Sequence, residues 1–416
     1  MPTTRLLRHL LPIFFILIIN APALADLAAT ADFEGGSAVI ESIDQTAGII
    51  RMTPAGPADR GWSCWWYVKV TGIEPGRTIT IDLGANKDYR LPAGGKLAAS
   101  WARPQLATFS TDGKTWQHTS QGKTQGDRIT WTATVNAKEA WFAWGPPFTP
   151  SDAKALVDRL AKASPHAKAF ELCRTREDRP VPALRVLEKG GDDAGKYGIW
   201  INARQHAWEA GASWVCSGLA EWLVSDDKRA TTLRRMAEIS IVPIMDIDNT
   251  AIGAGGKEQK PQDHNRDWTD EPYHASVKIA QESVLAMNKA GRFDLFIDLH
   301  NPGPGDRQPF YFVAPQELLK PVGKRNLARF VECSVAEIIG PLKVSQKTRE
   351  SGPGYDKNWK NISKNWVQAH AADHAIAVTL ETSWNTPHST IEGYQRVGRE
   401  LGQAIERYLR ESPREP

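Results

Sequence analysis

The stretch from Ile199 to Glu209 reads IWINARQHAWE. It begins as a short, largely apolar run, which is typical of a buried strand, and it leads into a helical pattern that continues to Leu223. A buried strand followed by a helix is the repeating unit of α/β domains. His206 and Glu209 are three residues apart at the turn between the two elements, so both side chains can point in one direction. The stretch therefore predicts an α/β fold and a candidate site at the end of one strand.

The same alternation continues through residues 148–416. The strand-like runs are Ala169–Cys173, Ala183–Val186, Ile199–Ala203, Ile239–Met245, Leu295–Leu299, Phe310–Val313 and Ala375–Leu380. The helical patterns are Glu209–Leu223, His274–Ala290, Gly323–Ile339 and Thr390–Leu409. Such alternation predicts an α/β domain with a mostly parallel or mixed sheet, covered by helices on both faces.

Residues 26–147 have a different pattern, with short β-branched and aromatic runs between Gly, Pro and Asp turns. These runs are Ser63–Val70, Thr78–Leu83, Ile129–Val135 and Ala140–Trp144. They predict a small all-β sandwich domain. Its Trp62, Trp65 and Trp66 fit either a carbohydrate-stacking platform or core and interdomain contacts, and we adopt the second interpretation.

A proline-rich joint, GPPFTP at residues 145–150, separates the two patterns. We therefore expect a domain boundary near residue 148. Ser151 and Asp152 are the candidate caps of a helix that continues to Ala163.

Two further apolar strands end on titratable residues, at His300 and Glu381. Ligands gather at the carboxyl ends of strands in such sheets, so these residues and the pair His206 and Glu209 are expected to share one site. Catalytic zinc typically takes three protein ligands and leaves a fourth position for water. We expect His206, Glu209 and His300 to bind one zinc ion per chain, with Glu381 as the general base that activates the water. The HxxE pattern alone also fits exposed surface, and Asp298, just before His300, also fits a core-edge residue with a backbone partner.

The loop from Gly255 to Trp268 is dense in hydrogen-bond donors. Its Asn265 and Arg266 can hold a carboxylate through charge-assisted hydrogen bonds. A surface loop with a helix cap is the alternative. His264 is a less favoured candidate ligand, because three ligands already suffice.

These segments resemble, in order, the motifs of the M14 zinc carboxypeptidases, especially the branch related to cytosolic carboxypeptidases, which carries an amino-terminal β-domain. The zinc motif of the family resembles residues 206–209, its substrate-binding NR(N/D)W segment resembles 265–268, and its third-ligand and catalytic-glutamate strands resemble 298–300 and 379–381. Residues 148–150 and 172–180 resemble the entry to its catalytic domain. The resemblance covers about residues 148–410. It implies that Asn265 and Arg266 hold the terminal carboxylate of a substrate.

The chain departs from the family pattern at two places. Residues 245–250, MDIDNT, replace the usual Asn-Pro-Asp-Gly turn. The family arginine that polarises the scissile carbonyl has no counterpart, since Gly256 lies near its place with Lys257 adjacent. We expect Lys257 to supply the positive charge instead. Tyr355 is the candidate for the mobile tyrosine that caps the substrate, although packing on the domain is an equal alternative.

Composition narrows the class of partner. The chain has 51 Lys and Arg against 48 Asp and Glu, and without residues 1–25 the balance is 49 − 48 = +1, which argues against nucleic-acid or anionic-membrane binding. A peptide or peptide-like substrate fits better. The four cysteines form no CxxC pair, which argues against a thiolate zinc site. Their pairing stays open, and Cys216 also fits a buried free thiol.

The amino terminus has the features of a secretory signal: Arg5 and Arg8, an apolar run from Leu10 to Ile19, and ALA at 23–25. We expect residues 1–25 to be removed on export to the periplasm or the extracellular space, with an uncleaved anchor as the alternative.

The sequence therefore predicts an exported two-domain zinc metallocarboxypeptidase that removes carboxy-terminal residues from peptides. One alternative is an amidase of the same fold that acts on cell-wall peptides or N-acyl amino acids. Another is a non-catalytic peptide- or glycan-binding protein with a vestigial zinc site.

Overall fold

The computed structural model describes residues 26–86, 89–91, 94–188, 195–411 and 414. The predicted signal segment, residues 1–25, lies outside this range. Among the described residues, no helix combines the length and the apolar character needed to cross a membrane.

Two five-stranded sheets form the amino-terminal part. Their strands are β1 (Ala28–Thr30), β2 (Val39–Asp44), β3 (Ile49–Thr53), β4 (Tyr67–Thr71), β5 (Arg77–Gly84), β6 (Leu106–Ser110), β7 (Gln117–Gln121), β8 (Lys123–Gln125), β9 (Arg128–Val135) and β10 (Glu139–Ala143). One sheet has the order β1-β4-β10-β6-β7 and the other β2-β3-β5-β9-β8. Both contribute to one buried core, as a sandwich requires. Each of the four predicted runs overlaps one strand, namely β4, β5, β9 and β10. The other six strands were missed, because segments such as β7 and β8 are polar and largely exposed.

The rest of the chain contains one eight-stranded mixed sheet. Its strands are β11 (Ala167–Arg174), β12 (Pro180–Val186), β13 (Tyr197–Ala203), β14 (Ala237–Val242), β15 (Phe293–His300), β16 (Phe310–Val313), β17 (Arg349–Glu350) and β18 (Ile376–Glu381). The order is β11-β12-β14-β13-β15-β18-β16-β17, and the central strands β14, β13, β15 and β18 run parallel. The predicted mixed α/β fold preceded by an all-β region is confirmed.

Helices flank this sheet. They are α1 (Pro150–Ala163), α2 (Ala210–Leu223), α3 (Lys228–Met236), α4 (Ile247–Ala251), α5 (Ala275–Lys289), α6 (Pro321–Glu337), α7 (Ser363–His370) and α8 (Ile391–Arg410). The predicted cap of α1 was wrong. Thr149 is the N-cap, and it exchanges hydrogen bonds with Asp152 in a capping box, so Ser151 lies inside the first turn.

The cores of the two parts meet at a cluster of tryptophans. Trp208 and Trp384, from the α/β part, are buried in the core of the sandwich. Their rings contact Trp144, with ring centroids 5.5 and 4.2 Å away. Trp65 and Trp66 are also buried, and each indole N–H donates to a backbone carbonyl inside the sandwich. The four cysteines, including buried Cys216, are unpaired.

Candidate active site

Three parallel strands bring the predicted site residues to one edge of the mixed sheet. β13 ends at Ala203, three residues before His206, and β15 and β18 end at His300 and Glu381. The register pairs Ala203 with Leu299 and His300 with Glu381. Neighbouring strands lie about 4.8 Å apart, so this register places the candidate base directly beside a candidate ligand.

His206, Glu209 and His300 form a compact buried group. His206 Nδ1 lies 2.8 Å from one carboxylate oxygen of Glu209, and His300 Nδ1 lies 2.7 Å from the other. One ligand atom from each residue lies within 4.8 Å of the other two. Two imidazoles and a carboxylate are the donor set of a common class of catalytic zinc site. The residues therefore fit the predicted ion, and both Nδ1 atoms face the carboxylate of Glu209.

Two aspartates lie beside the far nitrogens of the imidazole rings. Asp298 Oδ2 lies 2.8 Å from Nε2 of His300 and makes a hydrogen bond with it, and Asp263 Oδ1 lies 3.2 Å from Nε2 of His206. The hydrogen bond with Asp298 favours the tautomer of His300 whose Nδ1 lone pair is free for a metal. His206 Nε2 has no hydrogen-bond partner among the described residues, so Asp263 acts on it through charge alone. From the sequence alone, Asp298 also fits a core-edge residue, and Asp263 has no predicted role. Asp298 precedes His300 by two, a spacing that puts both on one face of a strand, and this signal was available.

Opposing charges set the pKa values of His300 and Glu209. Burial lowers the pKa of His300, but Asp298 and Glu209 outweigh it and hold the value well above normal. Burial likewise raises the pKa of Glu209, yet His206 and His300 bring it down to about 2. Glu209 is thus an anion that attracts positive charge to the two Nδ1 atoms.

Glu381 is in a different environment. Burial and the negative charge of Glu209 together raise its pKa to about 7, against the opposing effect of His300 and Lys257. Its Oε2 is buried and has no hydrogen-bond partner among the described residues. A carboxylate with a free oxygen and a pKa near neutrality suits a group that accepts and returns a proton.

A cavity of about 230 Å³ opens over these residues. Asn265 and Arg266 both line it. Asp356 Oδ2 lies 2.8 Å from Nε of Arg266, and the Asn265 carbonyl accepts from Nη1, while Nη2 has no partner within the described ranges. The Asn265 amide nitrogen lies 3.3 Å from His300 Nε2, and its oxygen accepts from the backbone of Ser363. Arg266 thus presents a free guanidinium edge, whereas the side chain of Asn265 is engaged beside His300.

Lys257 and Tyr355 also line the cavity. The Lys257 ammonium lies 5.2 Å from the ring centroid of Trp62. At Gly256, φ is +78°, and a Cβ would lie 2.3 Å from Asp246 Oδ2, so no side chain fits there. Tyr355 is half exposed, and its ring lies 5.1 Å from that of Phe312. It therefore rests on the domain in this conformation.

Several residues of the cavity wall were not predicted from the sequence. Lys364 is fully buried on α7, donates to Ser351 Oγ, and has its pKa lowered to about 7 by burial and by Arg266. Arg349 forms a 2.6 Å ion pair with Asp306. Their segments carry no strand-end signal, because they reach the site only through packing.

His264 lies outside the metal group formed by the described residues. Its ring stacks on His274 with centroids 3.6 Å apart, and burial lowers its pKa to about 3. It faces a separate cavity of about 200 Å³. The MDIDNT segment that replaces the family turn begins α4, where Asp246 accepts from both the backbone and the side-chain amide of Asn249.

Comparison with known proteins agrees with this geometry. A family model described as zinc carboxypeptidase (peptidase M14) matches residues 153–396, and one described as cytosolic carboxypeptidase N-terminal domain matches residues 29–144. An uncharacterized protein of Zymomonas mobilis is 27% identical over 276 residues, 66% of this chain and 67% of that protein. Cytosolic carboxypeptidase 1 of Danio rerio is 27% identical over 188 residues, 41% of this chain but only 16% of that much longer protein.

A metallo-carboxypeptidase from Burkholderia cenocepacia has the same fold. The structures superpose with a TM-score of 0.79 at 21% identity, covering 93% of this chain and 100% of that one. The predicted resemblance and enzyme class are thereby confirmed. The chain belongs to the zinc carboxypeptidase family, peptidase M14, and carries an amino-terminal region related to that of the cytosolic carboxypeptidases.

Proposed function

We propose that this protein removes the carboxy-terminal residue from peptides in a zinc-dependent hydrolysis. The observation that carries the proposal is one cavity lined by a His2Glu donor set, by Arg266 with its free Nη2, and by Glu381, whose Oε2 has no hydrogen-bond partner among the described residues. These supply a metal position, an anchor for a terminal carboxylate and a base within one cavity.

Arg266 positions the substrate. Its side chain is fixed by Asp356 on one nitrogen and by the Asn265 carbonyl on another, which leaves Nη2 for the terminal carboxylate. Because the guanidinium is held in place beforehand, less conformational entropy is lost when the substrate binds. A substrate without a free carboxylate forfeits this contact.

Glu381 acts as the general base and then as the general acid. One zinc ion held by His206, Glu209 and His300 supplies, when bound, the Lewis acidity that activates a water molecule and polarises the scissile carbonyl. Glu381 accepts the proton of the attacking water at its free Oε2 and then donates it to the leaving amine.

Lys257 stabilises the negative charge that develops on the carbonyl oxygen. No side chain fits at position 256, and the adjacent Lys257 brings a positive charge to the cavity wall. An ammonium is a point charge without the fixed fork of a guanidinium, so it constrains the carbonyl less than the family arginine. Tyr355 covers the substrate after leaving its contact with Phe312.

Glu381→Gln tests the proposal. The variant should lose about 10²–10⁴-fold in peptide hydrolysis while keeping about one zinc per chain, because the base is replaced and the ligands remain. The wild-type protein should be assayed on a panel of peptides, muropeptides and N-acyl amino acids. Cleavage confined to the last two classes would identify the amidase, and full zinc occupancy without any cleavage would identify a binding protein.

We also propose that the protein is exported, on the strength of the basic and apolar segments at residues 1–25. Expression of the full chain in a Gram-negative host should give a periplasmic protein that begins at Asp26. A protein that stays in the cytosol with Met1 intact would refute export and leave the proposed activity unaffected.

A further inference from the structure

The sandwich domain contributes two tryptophans to the wall of the catalytic cavity, Trp62 and Trp101. Their rings meet edge to face with centroids 4.6 Å apart, and the Trp101 ring also contacts that of Trp208, 5.6 Å away. Pro302 and Gly303 continue the same wall. This part of the cavity is thus apolar and is shared between the two halves of the chain.

Backbone hydrogen bonds fix Trp62 in this position. The segment Asp59–Trp62 of the sandwich pairs with residues 256–260: Gly256 N donates to Arg60 O, Trp62 N to Lys257 O, and Lys260 N to Asp59 O, at 2.7 to 3.0 Å. The Trp62 indole N–H donates to Glu258 Oε2 at 3.0 Å. The same hydrogen bonds hold the loop that carries Lys257. The segment Asp59–Trp62 therefore positions both Trp62 and Lys257 at the cavity.

Trp101 is fixed from two sides. Its carbonyl accepts from the Trp144 indole at 2.8 Å, and a Cβ at Gly303 would lie 3.7 Å from the Trp101 ring. The ring therefore lies against the loop after β15, and one part of it faces the cavity. A rigid aromatic ring that is only partly covered is suited to contact with an apolar group, since little conformational entropy is lost on binding.

Several charged side chains of the cavity lie near Tyr355. Arg266, Lys364 and Arg349 belong to the part that includes Tyr355, where charged groups interact with one another. On the tryptophan side, the Lys257 ammonium lies 5.2 Å from the centroid of the Trp62 ring. The tryptophans and Arg266 line one cavity, so a peptide whose terminal carboxylate lies at Arg266 can extend over the tryptophans.

We propose that Trp101 and Trp62 form an upstream subsite that binds a large apolar or aromatic side chain at one of the two residues before the scissile bond. The subsite rests on the proposed carboxypeptidase function and adds a role for the sandwich domain, which supplies its aromatic surface. A bound aromatic ring covers the partly open Trp101 face and removes its own surface from water.

The test compares peptides that differ only upstream, using the full zinc-loaded chain. Three N-acetylated tripeptides carry Ala-Gly, Ala-Phe or Phe-Ala before the terminal residue that the wild type removes fastest. The wild type should cleave one Phe peptide with about ten-fold higher kcat/KM than the Gly peptide. Trp101→Ala should lower kcat/KM for the preferred Phe peptide several-fold more than for the Gly peptide, so that most of this preference is lost.

Trp116→Ala is the matched control. Trp116 is a half-buried tryptophan of the same sandwich that packs on Tyr67, and it is not part of the cavity wall. It should leave the Phe preference intact. If Trp101→Ala does not fold, Trp101→Leu replaces it, because leucine keeps part of the apolar packing. The preference of the wild type for a Phe peptide over the Gly peptide is measured without any variant.

Three results would overturn the subsite. The wild type could cleave all three peptides equally, Trp101→Ala could lower every kcat/KM by the same factor, or Trp116→Ala could have the same effect as Trp101→Ala. In each case the wild type still removes the terminal residue, so the proposed function stands. Failure of the wild type to cleave any peptide would refute the proposed function itself.

Discussion

Replacing Asp298 tests whether the residues around the ligands, and not the ligands alone, determine zinc binding. Asp298 is completely buried. Its Oδ1 accepts from Asn202 at 2.7 Å, and its Oδ2 accepts from Ser363 at 2.6 Å and from Gln205, besides lying 2.8 Å from His300 Nε2. One carboxylate thus fixes the orientation of a ligand and completes a buried hydrogen-bond network.

Asp298→Asn and Asp298→Ala should separate these two roles. The asparagine keeps one acceptor oxygen toward His300, Gln205 and Ser363 but loses the charge. Loss of such a carboxylate typically weakens metal binding by 10–100-fold, which corresponds to about 1.4 to 2.8 kcal/mol. Asn202 loses its acceptor in both variants, because the NH2 group of the new asparagine faces Nδ2 of Asn202, and the alanine leaves Gln205 and Ser363 without an acceptor as well. Each buried unsatisfied donor costs about 1–3 kcal/mol, so the free energy of unfolding should fall by on the order of 3 kcal/mol or more.

Zinc affinity is measured by competition with a chelator, and stability by urea unfolding of the metal-free protein. Asp294→Asn is the control, because Asp294 is equally buried on the same strand but accepts from Gly198 and Arg414 at the opposite end. It should alter stability and leave zinc affinity unchanged. An Asp298→Asn protein that binds zinc as tightly as the wild type would refute the reasoning.

Three further predictions concern single side chains. Arg266→Ala should lower kcat/KM about 10–100-fold for peptides with a free carboxylate, and amidation of the peptide should abolish the difference between wild type and variant. Burial lowers the pKa of Lys364 to about 7, below its unfolded value, so wild-type stability is lost as pH falls toward 7. When the pH is lowered from 9 to 6, the free energy of unfolding of Lys364→Met, measured in urea, should therefore rise by about 2–3 kcal/mol relative to that of the wild type. Lys360→Met, at an exposed site, should show no such change relative to the wild type. Thr149→Ala should cost about 1 kcal/mol in the same assay and Ser151→Ala less than about 0.5 kcal/mol; equal losses would contradict the capping box.

Local patterns predicted the elements that bury a continuous apolar face. The strand Phe310–Val313 has its predicted bounds, and the predicted end of α1 at Ala163 is also observed. The helix Lys228–Met236 was missed, because its sequence KRATTLRRM buries only three side chains and has little apolar periodicity. Elements that depend on a few contacts leave a weak signal in their own sequence.

The sequence by itself determined the alternation of strands and helices and the placement of His206, Glu209, His300 and Glu381 at strand ends. These features follow from short-range periodicity and from the rule that parallel strands end at one edge. The tertiary structure decided which carboxylates lie beside the imidazoles, why no side chain fits at Gly256, and that sandwich tryptophans reach the catalytic cavity. These features depend on contacts between different segments of the chain, such as that of Asp263 with His206 and the 5.6 Å approach of Trp101 to Trp208. No local pattern encodes such contacts, because they form only when separate hydrophobic surfaces pack together.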